Sequence, residues 1–494
     1  MRVPSLVVVL VLASAGCLAA TDTSRPEKDV GPPEEPLHVL ANATEPADLV
    51  APAFKLLGRV SRAGPPSGAG EPSIWAHLDG TVYLAFPGCD NGNEPPNTPV
   101  TPRTPCRNGP VYRSDDQGTT WKRLNRASDG KLDDKGPNAN GDNEVTVDAA
   151  GTVYASNLGA RGIQVWRSLD RGATWEYKGN LTPTTHFADR QWLAGGKAGH
   201  LIVTWMGGKT AQGQTPRRSV AVNSTFDSGD TWTGITYIDD AIGWLGPVAF
   251  HPNLTSAYIP YTKRATPAGQ LPTEGATFGL HMAATHDGGR TWTSLDTKVR
   301  IRASGTGGHW SGVHMAPALD VTGDGTIVYA WSEDVLDATG ATSNGARVRL
   351  MASRDAGQSW TAPTTVSTRT SAIMPWVTGG AGDRAAINYY ASDTGFDSDM
   401  VGRWDVMVAM VDDVAATPKA VTGVLERDVH FGGLCSRGTG CSAPSDRTLL
   451  DFFEADVMPD GRLIVSYAAD PHTGGKYAEI RTAIQNGGSP LLVR

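Results

Sequence analysis

Carboxylates, arginines and aromatics recur at one kind of place in this chain, just ahead of short hairpin strands. In order they are Glu71, Asp142 and Glu144, Asp189 and Arg190, Trp244, His309 with Trp310 and His314, Trp376, then Arg447, Asp451 and Glu454. Glu144 and Glu454 each stand seven residues before a hairpin glycine, Gly151 and Gly461. Carboxyl groups placed opposite one another can serve as general acid, base or nucleophile, which is the chemistry that cleaves glycosidic bonds. Aromatic faces pack on sugar rings, and an arginine can hold an anionic sugar's carboxylate in a bidentate pair. Glu144, Asp189, Asp451 and Glu454 are therefore the catalytic candidates. Glu71, Arg190, Arg447, Trp244, His314 and Trp376 are the substrate-binding candidates. Each has a structural alternative. The carboxylates can bond backbone amides of the next strand, Asp189–Arg190 and Asp446–Arg447 can be ion pairs, and the tryptophans can be packing. His309 and His314 read as polar loop residues rather than metal ligands. No cofactor is expected, with a structural calcium among loop carboxylates left open.

The elements that must position these residues are repeats. Five segments fit Ser/Thr-x-Asp-x-Gly-x-Ser/Thr-Trp: 114–121, 168–175, 225–232, 285–292 and 353–360. The Asp can accept bonds from amides of its own turn, the Gly permits a positive φ, and the Trp can plug the layer beneath. Each segment follows a strand-like run, so the motif joins two antiparallel strands. Upstream of each lies a hairpin with a Gly or Asp-Gly turn, at 73–86, 144–156 and 318–331. Weaker copies run over 191–205, 247–261, 376–390 and 454–467. Two further third strands, 404–410 and 477–483, lack the full motif. Hairpin, third strand and a fourth strand after the motif make a four-stranded blade. The reading is an all-β chain, a single β-propeller of seven blades, with six blades and an extra hairpin as the alternative. Residues 54–60, or Leu491–Val493, would supply the outer strand of the last blade. The glycine turns and the Asp motifs share one end of the sheets. The chemistry-bearing residues share the other, with the long loops that most often carry function.

The five Asp motifs resemble the Asp-boxes (BNR repeats) of sialidases and related β-propellers, a likeness that covers the chain from Arg113 onward. It implies that the Asp-boxes themselves are structural. It also implies three arginines on a substrate carboxylate, a Tyr nucleophile with a Glu partner, and an Asp acid/base. Arg190 and Arg447 can stand for two of the arginines. The family's Phe-Arg-Ile-Pro motif is absent, Gly70-Glu71-Pro72-Ser73-Ile74 standing in that stretch. Arg384, beside Tyr389 and Tyr390, follows a hairpin turn at the other end, and Tyr467 is a weak nucleophile candidate. Two functions remain: a glycan-acting or glycan-binding propeller of exo-sialidase-like type, and a non-catalytic propeller that binds protein or is structural in the cell envelope.

Ends, cysteines and charge fix the setting. Residues 1–20 read as a signal peptide, with Arg2, an apolar run over 6–12 too short to span a bilayer, and Ala13-Ser14-Ala15 for cleavage. Ala15-Gly16-Cys17 also resembles a lipobox, although Ser14 stands where such sequences carry Leu. Residues 21–52, rich in Pro, Glu and Ala, read as a disordered tether, and 53–494 as the propeller. Cys89 with Cys106 and Cys435 with Cys441 form two local pairs, as disulfides of an exported protein would. A net charge of −8, from 51 acidic and 43 basic residues, argues against a nucleic-acid surface. The expectation is a monomer, extracellular or at the cell surface, lipid-anchored through Cys17 in one reading, whose partner is a glycan or glycoconjugate, or else a surface protein.

Overall fold

The computed structural model describes residues 49–60, 70–87, 111–124, 141–159, 162–183, 186–209, 218–264, 277–302, 316–336, 342–394, 402–434, 447–470 and 478–492. Cys17, Cys89, Cys106, Cys435, Cys441, His309, Trp310 and His314 lie outside them, as do residues 1–48. Among the described residues all regular structure is strand.

Among the described residues, alternation of short β-branched and apolar runs with Gly turns yields twenty-nine strands. β1 (Ala53–Arg59) belongs to the last unit. The first unit is β2 (Ser73–Ala76), β3 (Val82–Ala85), β4 (Val111–Ser114) and β5 (Lys122–Arg123). β6 (Asn143–Val147), β7 (Val153–Gly159), β8 (Gly162–Ser168) and β9 (Glu176–Asn180) follow. Next come β10 (His186–Gly195), β11 (Leu201–Lys209), β12 (Ser219–Thr225) and β13 (Thr236–Asp240). β14 (Ile242–Leu245) and β15 (Ala249–Phe250) together pair with β16 (Ala257–Arg264), which continues to β17 (Thr277–Thr285) and β18 (Thr293–Arg302). β19 (Ala318–Val321), β20 (Ile327–Leu336), β21 (Thr342–Ser353) and β22 (Thr364–Thr365) precede β23 (Ser371–Gly379), β24 (Ala385–Ser392), β25 (Arg403–Asp412) and β26 (Lys419–Phe431). β27 (Glu454–Val457), β28 (Leu463–Ala469) and β29 (Glu479–Gly487) end the chain, and β1 pairs antiparallel to β29 as the outer strand.

The hydrogen bonding divides these strands into six sheets rather than seven. The runs β19–β22 and β23–β26 are joined into an eight-stranded sheet by a single parallel pair, Ala346 with Ser371. Every other pairing is antiparallel. The arrangement is β-propeller-like. The strand that opens each run faces one cavity of about 150 Å3, lined by Ile74, Glu144, Ala194, Val248, Leu319, Val377 and Glu454 among others. Neighbouring first strands are latched to one another by side chains. Ile74 N–H donates to Glu454 Oε2 (3.0 Å) and Val145 N–H to Ser73 Oγ (3.2 Å). Gly195 N–H donates to Thr146 Oγ1 (3.1 Å), Trp192 Nε1 to Leu245 O (3.2 Å), and Gly379 N–H to Asp320 Oδ2 (2.7 Å). Thr378 Oγ1 donates to Ala455 O (3.1 Å). Strand starts with small hydroxyls and carboxylates thus cross-link elements that share no ladder.

The five repeated turns are built alike. In the first, Ser114 Oγ donates to Asp116 Oδ1 (2.7 Å) and accepts from Gly118 N–H (2.7 Å), while Thr120 N–H and Oγ1 donate to the two carboxylate oxygens (2.8 and 2.7 Å). The turns at Asp170, Asp227, Asp287 and Asp355 repeat this. The bonds hold the carboxyls low; for Asp227 the Thr231 hydroxyl leads, then its amide. The motif glycine sits at φ +84 to +89 in all five. It also abuts the preceding run: a Cβ on Gly172 would lie 2.3 Å from Leu124 Cδ1, and one on Gly118 2.9 Å from Leu57 Cδ1 of β1. These turns and the hairpin turns share one end, as Arg171 bonds Thr81 and Ser228 N–H bonds Gly199 O (2.8 Å).

Two expectations about the ends need correction. Leu491 adds no strand; its N–H donates to Gly461 O (2.8 Å) and its carbonyl accepts from Ala381 N–H (3.0 Å). Residues 49–52 are not tether, because Val50 N–H donates to Ser489 Oγ (2.8 Å), Leu49 packs on the core and Pro52 is buried.

Candidate active site at the end of the axial cavity

Arg190 is the centre of the cluster opposite the turns. It sits on a β-bulge in β10, where the register to β11 slips between Asp189 and Gln191. Its φ is +36, a region that side chains avoid. A bulge re-aims a side chain, and here the guanidinium enters the interior. Its carbon lies 3.8 Å from the Trp192 ring centroid and 3.9 Å from that of Phe452. Nη2 donates to Glu144 Oε2 (2.8 Å) and lies 4.0 Å from Glu454 Oε1. The Asp189–Arg190 ion pair, the structural alternative for these two residues, is not among the described ion pairs. Among the described residues Asp189 Oδ1 accepts the Arg190 backbone N–H (3.1 Å).

Glu144 and Glu454 line the axial cavity and are 4 % and 3 % exposed. Burial pushes the Glu144 carboxyl up to about 7, against the Arg190 charge that opposes it. Burial, then the neighbouring Glu144, raises Glu454 well above the usual carboxylate range. Glu454 Oε2 is used by the latch to Ile74, while Oε1 is buried without a hydrogen bond. Two carboxyl groups this close, with one cation between them, hold a proton near neutral pH. That equips the pair to give or take a proton.

A second tier lies around it. Glu71 precedes β2 at φ +46 and is 4 % exposed. Arg447 pairs with Asp451 and reaches Glu71 Oε1 at 3.8 Å. Burial, followed by the charges of Asp142 and Asp451, holds Glu71 well above its ordinary range. Burial first, then Asp142, raises Asp189, with Arg218 opposing. Asp451 is also raised by burial, against Arg447. Glu71, Glu144, Asp189, Arg190, Arg447, Asp451 and Glu454 thus converge on one place.

Trp376 belongs to the cradle rather than to an open platform. Its Nε1 donates to Ala455 O (3.1 Å), and its ring lies 5.6 Å from Trp192 and 6.4 Å from Phe452. Trp244, on β14, stands on the rim with Phe187, each ring 6.0 Å from the Arg218 guanidinium. Arg218, Trp192 and Phe452 were not singled out from the sequence. Trp192 and Phe452 lie two residues from Arg190 and Glu454, but the bulge at Arg190 and the start of β27 at Glu454 leave no regular alternation there to signal a shared face. Arg384 and Tyr467 lie elsewhere. Arg384 pairs with Asp412 and donates to Pro490 O (2.7 Å) at the turn end, and the Tyr467 hydroxyl bonds Glu426 of β26. Among the described residues no three His, Cys, Asp or Glu side chains stand close enough to hold a metal ion.

No family model matches the chain, and no curated protein matches it. Among solved structures it is similar to a protein of unknown function from Dyadobacter fermentans, at 15 % identity and TM-score 0.45 over 89 % of this chain and 98 % of that one. It is also similar to the polysaccharide lyase Uly1, at 11 % and 0.47 over 86 % and 91 %. A sialidase of Streptococcus pneumoniae follows at 10 % and 0.40, over 87 % and 70 %. TM-scores below 0.5 at such identities carry no argument about what this chain does.

Proposed function

We propose that this chain is an exported, seven-bladed β-propeller that binds a glycan across the end of the axial cavity opposite the repeated turns and acts on it by proton transfer from the Glu144–Glu454 pair. The observation that carries the reading is the buried, proton-holding pair gathered around Arg190 on a strained bulge. Backbone strain and raised carboxyl groups in one cavity cost stability and mark functional sites. Seven blades are supported by the seven first strands on one cavity and by the single bridge that fuses two runs. Residues 1–20 direct export, residues 21–48 tether the body, Cys17 anchors it in lipid at the cell surface, and the body works as a monomer.

A second reading, a binding propeller without turnover, is favoured by the pairing of Arg190 and Arg447 with carboxylates of their own chain. Arginines so engaged are poorly placed to take an anionic sugar, which also weighs against cleavage of sialosides. The test is hydrolysis of a panel of fluorogenic glycosides, α-sialosides included, by the wild type, Glu144→Gln and Glu454→Gln. Turnover lost in a folded variant supports the acid–base reading. Binding on a glycan array with no turnover supports the second, and neither binding nor turnover sinks both.

A further inference from the structure

The axial cavity runs the length of the strands that open each run. Glu144 and Glu454, near the start of β6 and β27, line one end of it. Phe250, His251 and Pro252, around the hairpin turn between β15 and β16, line the other. Its volume is about 150 Å3. Much of the wall is apolar: Ile74, Val248, Leu319 and Val377 contribute aliphatic surface, and Trp75 and Trp376 contribute rings. Polar groups on the wall are largely taken up by the chain itself. Asp320 accepts the N–H groups of Val321 (2.8 Å) and Gly379 (2.7 Å), and Asp456 those of Ala76 (2.6 Å) and Val457 (2.7 Å). Thr378 Oγ1 and Trp376 Nε1 both donate to Ala455 O (3.1 Å each).

Water occupies a cavity where several polar groups are left to hold it, whereas an apolar cavity of about this size stays dry and takes one benzene-sized molecule. Here the apolar wall carries a polar point at one end. Glu454 Oε1, on a residue only 3 % exposed, makes no hydrogen bond. Arg190 does not supply one, since its Nη2 stands 4.0 Å away and donates to Glu144 Oε2 instead. A buried oxygen without a donor is costly. A compact, uncharged aromatic ring with one hydroxyl answers both features, its ring against the wall and its O–H on Glu454 Oε1. A ring bearing a carboxylate would set another negative charge against the pair while Arg190 is already engaged. A sugar would bury hydroxyls against aliphatic surface.

We propose that the axial cavity is a second binding site, distinct from the glycan-binding face, and that it takes a small phenol-class molecule whose hydroxyl donates to Glu454 Oε1. This goes beyond the glycan reading and does not depend on it.

The experiment is calorimetric titration of the full chain near pH 6 with phenol, benzene, benzoate and glucose. One phenol per chain should bind, roughly threefold to tenfold tighter than benzene, the worth of one hydrogen bond, and benzoate and glucose should not bind. Ala194→Leu, which enlarges a side chain of the wall, should abolish the binding of phenol and benzene alike, its thermal melt showing that it folds. Glu454→Met should keep benzene and lose the preference for phenol. Glu454 also latches Ile74, so if that variant fails to fold the wild-type ratio of phenol to benzene is decisive. Equal binding of phenol and benzene, no binding of either by folded wild type, phenol binding undiminished in folded Ala194→Leu, or displacement of phenol by glucose or benzoate would each overturn the proposal. Glycoside turnover and glycan-array binding are read separately, so either site can fail while the other stands.

Discussion

Replacing Glu144 by Gln should change the pH dependence of stability in a direction most proteins do not show. The folded chain holds the Glu144 carboxyl at about 7, against an ordinary value of 4.5. An acid whose value is raised on folding binds more protons folded than unfolded between those two values. Its contribution is fully present below about 4.5 and is lost as pH rises through about 7. The shift corresponds to about 3 kcal/mol. Gln copies the protonated carboxyl and cannot ionise, so the variant escapes that loss. His200, pushed down to about 4 by burial, works in the opposite sense, but it is common to both proteins and cancels in the difference. Urea unfolding of wild type and Glu144→Gln at pH 5 and pH 8 gives four free energies. The variant should gain about 2.5 kcal/mol on the wild type between the two pH values, the rest of the shift lying below pH 5. A difference independent of pH would mean that Glu144 ionises as an exposed carboxylate does, and the account of the site as a proton-holding pair would fall with it.

Three further outcomes follow. Arg190→Met should cost about 3–5 kcal/mol at pH 8, where the ionised Glu144 loses its cation, and clearly less at pH 5, where the Glu144 carboxyl is protonated; urea midpoints at the two pH values check this. Gly172→Ala places a Cβ against Leu124 at φ +85 and should cost about 1–3 kcal/mol, leaving any glycan affinity measured by calorimetry unchanged because the turn lies at the far end. Deleting residues 49–60 bares the β29 edge, and light scattering should then show concentration-dependent self-association.

The fold was readable because it is repetitive. Five copies of one turn and seven hairpins located the strands around each turn, while strands such as β10, β14, β20, β21 and β23 reach several residues beyond the expected bounds; the outer strand at 54–60 was anticipated because an unpaired edge needs covering. The fusion of two runs through Ala346 and Ser371 was not readable, since a single ladder pair leaves no periodic trace. In the site, the hairpin register located Glu71, Glu144, Arg190, Arg447, Asp451 and Glu454. What the register could not show was the bulge. Asp189-Arg190-Gln191-Trp192 reads as an ordinary strand, and regular alternation would keep Arg190 away from Glu144. The slip sends its guanidinium across to another run, where Glu144 rather than Asp189 receives it. Partners that meet between sheets come from distant parts of the chain, and no local spacing announces them.

The pairing of β1 with β29 means that the last sheet draws strands from both ends of the body. Val50 and Ser489 bond each other through N–H to Oγ at 2.8 Å and N–H to carbonyl at 3.1 Å, so the two ends of the body lie side by side. A circular permutant that joins them with a short linker and opens instead within 125–140, between β5 and β6, keeps every ladder and every latch. Its topology differs from the natural one only in where the ribosome starts, and the last unit becomes a continuous stretch of chain like the others.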